Sequence, residues 1–183
     1  MTPRGSVARR DRLRLFCALR LPASVLDGLE SWGARHLAER VVPPANLHVT
    51  VAFLGARPAA ELEAILGAVA GAAAAAAPIE LEPLRYRETR TVGMLVLADV
   101  GDAAARLAHR VFDTLERAGV YRREARPWLP HVTVVRFRRP PRLRPPLPEI
   151  GAFSPSDMAV YHSVLRSTGA QYEVLESFAL GGQ

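Results

Sequence analysis

Hydrophobic and polar residues follow two different periods along this chain, and prolines or glycines separate the stretches. Strict alternation, or a short run of apolar and β-branched residues, is typical of strands, because successive side chains of a strand point to opposite faces. The sequence predicts seven such strands, over residues 14–19, 47–54, 79–86, 92–100, 131–137, 158–166 and 172–180.

Between these strands, apolar residues recur three or four positions apart in three segments, which is the period of a helix. The first helix is predicted to begin at Pro22 and to stop before Pro43. The second is predicted to lie between Pro58 and Pro78, and Asp102 is the predicted N-cap of the third. Helices that alternate with short strands indicate an α/β or α+β protein. A short turn joins the last two strands, which favours an antiparallel or mixed sheet.

The length and composition indicate one domain with a real core. The chain has 183 residues, of which 49% are hydrophobic, enough for a single domain or for one made of two similar halves. No stretch approaches the roughly 20 apolar residues of a membrane span, and no secretory signal follows the basic start. Cys17 is the only cysteine and lies in an apolar strand, so we expect a buried, inert thiol and no disulfide. These features predict a soluble cytoplasmic protein.

Positive charge is concentrated in two places. The net charge is +6, and all 24 basic residues are arginine. Residues 1–14 carry a net +4, and residues 136–144 hold five arginines and no acidic residue. We expect residues 1–12 to be a disordered basic tail, which leaves residues 13–183 as a single domain. The second cluster follows a candidate site, and arginine suits phosphate because its planar guanidinium donates two parallel hydrogen bonds.

The tetrapeptide His-Val-Thr-Val occurs twice, beginning at His48 and at His131. In a strand, the threonine two residues after a histidine lies on the same face, so His48 pairs with Thr50 and His131 with Thr133. Prolines mark the entry to both copies. This duplication predicts two related lobes that each bring one motif strand to a shared groove.

Chance and metal binding are poor explanations of this repeat. The chain has five histidines and seven threonines, and the other histidines, His36, His109 and His162, lack the motif and are expected to be surface or packing residues. Neither copy contains a second histidine, a cysteine or a carboxylate, which a zinc site would need. The sequence therefore favours acid/base catalysis without a metal or a cofactor.

The residue types suit displacement at phosphorus. Histidine has an ordinary pKa of about 6.5, so one imidazole can act as a base and another as an acid on opposite sides of a phosphate. The hydroxyls of Thr50 and Thr133 can bind the non-bridging oxygens. Arg136 is the nearest residue to neutralise the developing charge. Strict alternation places Arg136 on the opposite face from His131, so its participation requires a β-bulge or a twist at the strand end.

These motifs resemble a known family. Residues 48–55, His-Val-Thr-Val-Ala-Phe-Leu-Gly, and residues 130–136, Pro-His-Val-Thr-Val-Val-Arg, are similar to the paired signatures of the two-histidine (2H) phosphoesterase superfamily. Within it, the chain most resembles the RNA 2′,3′-cyclic phosphodiesterases, also called 2′-5′ RNA ligases. The resemblance implies an α+β fold, bilobal and pseudo-two-fold, with antiparallel or mixed sheets around a central groove and helices outside.

The resemblance also implies an activity and roles for the site residues. The family reaction is hydrolysis of a 2′,3′-cyclic phosphate end of RNA, or of a nucleotide, to a 2′-phosphomonoester without metal or cofactor. By analogy His48 donates a proton to the leaving 3′-oxygen and His131 activates water, while Thr50, Thr133 and Arg136 hold the phosphate. A monomer that does not bind membranes is implied. The near symmetry of the repeat does not assign acid and base by itself.

Two alternatives to this function stay open, and so does the role of the aromatic residues. The same site could act on another cyclic nucleotide or on 2′,5′-linked RNA, including reversible ligation. The arginine clusters could instead serve a non-catalytic RNA-binding module, because cationic grooves bind backbone phosphates without paired histidines. Several aromatic residues could stack on a base or pack in the core, and the sequence does not rank them: Phe16, Phe53, Trp128, Phe137 and Tyr161.

Overall fold

Seven strands form one curled antiparallel sheet in the computed structural model, which describes residues 12–37, 40–167 and 169–181. All seven predicted strands are confirmed, with ends shifted by a few residues. Of the predicted tail, residues 1–11 lie outside the described residues, and Arg12 is the first residue of β1. The strands are β1 (Arg12–Arg20), β2 (His48–Pro58), β3 (Glu80–Glu88), β4 (Val92–Val100), β5 (His131–Arg136), β6 (Asp157–Arg166) and β7 (Gly169–Phe178).

The two motif strands are neighbours at the centre of the sheet. The strand order is β3-β4-β5-β2-β1-β6-β7, so each half of the sheet contributes one motif strand. β2 and β5 pair at a single position, Val49 with Val132. Further along β5, the strand is hydrogen-bonded to the segment before β2 in place of β2 itself: Val42 donates its backbone N–H to the Val134 carbonyl at 2.9 Å. The two halves are therefore joined as one sheet that opens between the motif strands.

Three helices cover the sheet: α1 (Ala23–His36), α2 (Leu62–Ala74) and α3 (Ala103–Arg117). Pro22 is the N-cap of α1, as its fixed φ allows. A 3-10 turn follows Pro58, so α2 begins later than predicted. Asp102 is the N-cap residue of α3, but its side chain makes no capping hydrogen bond, because its backbone is left-handed with φ 57°. The Asp99 carboxylate accepts instead from the backbone N–H groups of Ala104 and Ala105.

Alternation along β1 shows how the sheet separates core from groove. Leu15, Cys17 and Leu19 are fully buried in the main core, together with residues of α2 and α3. Phe16 and Ala18 point to the other face and belong to a smaller aromatic cluster. Cys17 is buried as predicted, and burial raises the pKa of its thiol to about 12.

Two connections affect the site. The first motif strand was predicted to end at Leu54, but β2 continues to Pro58, because Gly55 adopts φ 70° at an irregularity in the pairing with β1. Between β5 and β6, the proline-rich segment forms no helix or strand. In the described part of the chain, no helix has the length and apolar character needed to cross a membrane.

Candidate active site

The register of the motif strands places the four motif side chains on one face. In an antiparallel pair, the residue after one partner faces the residue before the other. Pairing of Val49 with Val132 therefore sets each motif histidine across from the threonine of the other motif. Directly facing side chains share a face of the sheet and lie close together. One cavity of about 940 Å³ is lined by all four: His48, Thr50, His131 and Thr133.

A β-bulge follows the histidine-threonine pair in both motif strands. Against β1, the pairing skips Val51; against β4, it skips Val134, the residue at the same place in the second motif. A bulge inserts one residue and reverses the alternation beyond it. Two successive residues are consequently buried in each strand, Val51 with Ala52 and Val134 with Val135.

The bulges return the next side chain of each strand to the cavity. On β5 this residue is Arg136, which lines the cavity and whose charge acts on His48. The bulge that its participation requires is thus present. On β2 the equivalent residue is Phe53, an aromatic side chain that is 49% exposed and lines the same cavity. The repeat therefore ends differently in its two copies, in a cation on one strand and in an aromatic ring on the other.

Both imidazoles are oriented by the backbone two residues before them. His131 Nδ1 lies 2.8 Å from the Leu129 carbonyl oxygen. Because that oxygen can only accept, Nδ1 carries the proton, and Nε2 of the neutral ring is left to accept one. His48 has the matching partner, a hydrogen bond to the backbone of Asn46. Each ring can therefore exchange a proton through its remaining nitrogen.

The surroundings of His48 are aromatic. Its ring centroid lies 4.9 Å from that of Phe16, 5.5 Å from Tyr172 and 5.8 Å from Tyr161. Burial, with smaller contributions from the charges of His131 and Arg136, lowers the pKa of His48 to about 4 against an opposing hydrogen bond to the Asn46 backbone. His48 is therefore neutral at pH 7 in the unliganded protein.

The cavity is positively charged. None of the described residues that line it is acidic. Three of them are arginines: Arg14, Arg40 and Arg136. Of the predicted cluster over residues 136–144, only Arg136 lies there. Arg142 and Leu143 instead donate their backbone N–H groups to the Glu88 carboxylate. Sequence reasoning missed Arg14 as a site residue, because it was considered only as part of the positive charge of residues 1–14; its position two residues before Phe16 on β1 was the available signal.

The aromatic residues and the remaining histidines differ in whether they line the cavity. Phe16 and Phe53 line the cavity, and the other three aromatic candidates do not. Trp128 donates its indole N–H to the Thr50 carbonyl at 3.0 Å and so ties the segment before β5 to β2. The three histidines without the motif lie outside the cavity, as expected: His36, His109 and His162. In residues 12–37, 40–167 and 169–181, no three His, Cys, Asp or Glu side chains are grouped to hold a metal ion.

Comparison with known proteins gives a consistent result. Residues 21–170 match the family model of the 2′-5′ RNA ligase superfamily. A Thermus thermophilus protein named RNA 2′,3′-cyclic phosphodiesterase is 32% identical over 189 residues, covering 93% of this chain and 92% of its own. An Escherichia coli (strain K12) protein of the same name is 28% identical over 171 residues, covering 91% and 96%. A Thermus thermophilus crystal structure shares 30% identity at a TM-score of 0.78, covering 93% of this chain and all of that one.

Proposed function

This chain belongs to the 2′-5′ RNA ligase superfamily, and on that premise we propose that it hydrolyses 2′,3′-cyclic phosphate ends of RNA to 2′-phosphomonoesters by metal-independent acid/base catalysis. Two relatives that align over nearly their whole length are named for action on RNA 2′,3′-cyclic phosphates. The observation that carries the proposal is the pair of facing motifs. Two backbone-oriented imidazoles and two hydroxyls share one arginine-lined cavity.

The proposed step is an in-line displacement at phosphorus. His131 takes a proton from water as the water oxygen forms its bond to phosphorus, and His48 gives a proton to the 3′-oxygen as the P–O3′ bond breaks. The product keeps the phosphate on the 2′-oxygen and gains a free 3′-hydroxyl. Afterwards His131 holds the proton that His48 lost, and exchange with solvent restores the starting state.

The phosphate holders follow from the register. Thr50 and Thr133 lie on the same face as the histidines, where their hydroxyls can donate to the non-bridging oxygens. Arg136, returned to the cavity by the bulge at Val134, would neutralise the charge that develops on those oxygens. These roles need no additional group.

The donor role of His48 depends on the substrate. Its pKa of about 4 leaves His48 neutral in the unliganded protein at pH 7. A bound phosphate adds a negative charge beside the ring, which favours the protonated imidazole and raises its pKa. Substrate binding thus supplies the proton-donating form at the moment it is needed.

Product analysis in the presence of EDTA tests the proposal. We expect a 2′,3′-cyclic mononucleotide and a cyclic-phosphate-ended oligonucleotide to yield only 2′-phosphate products with undiminished rate after chelation. His48→Gln and His131→Gln should each lower kcat by at least about 100-fold, the usual contribution of a general acid or base. His109→Gln, on α3 outside the cavity, is the matched control and should retain full activity.

Other outcomes separate the alternatives. Recovery of 3′-phosphates, or loss of activity in EDTA, would contradict the proposed chemistry. Turnover of 2′,5′-linked RNA or of a different cyclic nucleotide, without turnover of 2′,3′-cyclic ends, would keep the two-histidine site and change its substrate. Tight RNA binding with no turnover of any of these would identify a binding module instead.

A further inference from the structure

We propose that Arg14 forms a second anion subsite, which binds the phosphodiester on the 5′ side of the nucleotide that carries the cyclic phosphate. This inference rests on the proposed function and specifies its substrate as an RNA strand with at least one upstream linkage. The subsite lies at the end of the cavity formed by β1 and β2, where Arg14 and Phe53 meet.

The first observation is a surplus of positive charge. One arginine of the cavity, Arg136, is the one that the proposed function assigns to the reacting phosphate. Arg40 lies beside it, because its carbonyl accepts the Arg136 backbone N–H at 3.1 Å. Arg14 approaches from another strand, β1, so its charge is available to a different anion. A strand of RNA carries one negative charge per linkage and supplies that anion.

The second observation is that Arg14 is held in the cavity without a carboxylate partner. Its guanidinium carbon lies 4.8 Å from the centre of the Phe53 ring, a cation-π contact that orients the side chain. Two other arginines of the same strand pair are neutralised, Arg20 by Asp157 and Arg57 by Glu61. In the described part of the chain, Arg14 makes no ion pair. An oriented, unneutralised guanidinium is the group that binds phosphate best.

The third observation is the spacing. Arg14 lies four residues before Ala18, the β1 partner of Thr50, which is about 13 Å along the strand. Arg136 lies only three residues from Thr133 on a bulged strand, so Arg14 starts farther from the motif threonines and suits a neighbouring phosphate of the same RNA strand. The cavity of about 940 Å³ is at the upper end of the range of roughly 300–1,000 Å³ for small-molecule sites, which leaves room for more than one nucleotide.

Three substrates test the subsite: a 2′,3′-cyclic mononucleotide, a dinucleotide with the same cyclic end, and that dinucleotide with a neutral methylphosphonate linkage. We expect Arg14→Gln to lower kcat/KM for the charged dinucleotide by about 10-fold, since a charged hydrogen-bond partner is lost. The mononucleotide and the methylphosphonate should be hydrolysed as by the unaltered protein. The salt dependence for the charged dinucleotide should weaken by about one phosphate contact.

Arg110→Gln provides the matched control, because Arg110 is an exposed arginine of α3 outside the cavity. It should leave all three substrates unaffected. An equal loss on all three substrates in Arg14→Gln would show that Arg14 acts on the reacting phosphate or on the fold, and no loss on the charged dinucleotide would show that there is no subsite. Either result overturns the proposal.

Equilibrium binding makes this test independent of turnover. The same two dinucleotides, ended with a 2′-phosphate in place of the cyclic phosphate, are titrated against both proteins. Arg14→Gln should weaken binding of the charged one by about 10-fold and leave the methylphosphonate unchanged; equal affinities of the two proteins for the charged one would overturn the subsite. If no protein hydrolyses any substrate, the proposed function fails, while this binding comparison still decides the subsite.

Discussion

His48 and His131 occupy the same position of an identical tetrapeptide, yet their surroundings differ. His48 packs among Phe16, Tyr161 and Tyr172, and burial lowers its pKa to about 4. His131 faces Val96 of the neighbouring strand β4. The lowered pKa of His48 therefore comes from surroundings that its local sequence does not reveal. This asymmetry makes distinct acid and base roles testable residue by residue.

A substrate with a better leaving group should distinguish these roles. We expect His48→Gln to hydrolyse a cyclic phosphate whose 3′-oxygen is replaced by sulfur at near the rate of the unaltered protein, because a thiolate leaves without protonation. His131→Gln should stay inactive on this substrate, since water still needs a base. The measurement is kcat/KM on the oxygen and sulfur substrates for each variant. Recovery of His131→Gln, with His48→Gln inactive, would reverse the assignment.

At the scale of secondary structure, two β-bulges decide which side chains reach the site. The bulge at Val134 turns Arg136 towards the cavity, and Gly93 pairs with Val135 beside it on β4. A Cβ at Gly93 would overlap the Tyr86 hydroxyl and the Val135 side chain. Glycine suits this position because the side chains of Tyr86 and Val135 occupy the space that a Cβ would need.

We expect Gly93→Ala to lower the free energy of unfolding by about 1–3 kcal/mol, the usual cost of overpacking. Gly67→Ala is the matched control, because Gly67 lies on the exposed side of α2 with nothing within 4 Å of an added Cβ. That change should stabilise by about 0.5–1 kcal/mol, since alanine favours a helix over glycine. Urea unfolding of both variants measures the difference. Equal stabilities would show that β4 can shift to accommodate the methyl group.

At the scale of the whole molecule, burial of His48 links stability to pH. The folded protein binds a proton at His48 with a pKa of about 4, while the unfolded chain binds it with an ordinary pKa of about 6.5. Between these values the unfolded state holds more protons, so stability falls as pH drops from about 6.5 towards 4. Above pH 6.5 this contribution is fully present.

Comparison with His48→Gln isolates this contribution. Between pH 7.5 and pH 5, the unaltered protein should lose about 1–2 kcal/mol more of its unfolding free energy than the variant, after allowance for partial exposure of the ring. Urea titrations at the two pH values measure both losses. Identical losses in the two proteins would show that His48 titrates normally in the folded state.

Much of the fold was accessible from local patterns. Seven strands and three helices were predicted because side-chain period and proline positions depend on a few consecutive residues. The errors in the predicted boundaries also have local causes. Gly55 admits a bulge where a strand end was expected, and Asp99 caps α3 in place of Asp102. The pair of motifs was likewise visible, since identical tetrapeptides need no structure to be recognised.

The amino-acid sequence alone therefore established the strands, the helices, the repeated motif and the family resemblance. Only the tertiary structure decided that β2 and β5 are neighbours, that bulges bring Arg136 and Phe53 to the cavity, and that Arg14 joins them. The physical reason is the separation along the chain between the residues that interact. Periodicity is written in neighbouring residues, whereas register, burial and the approach of charges depend on contacts between segments that are far apart in the chain.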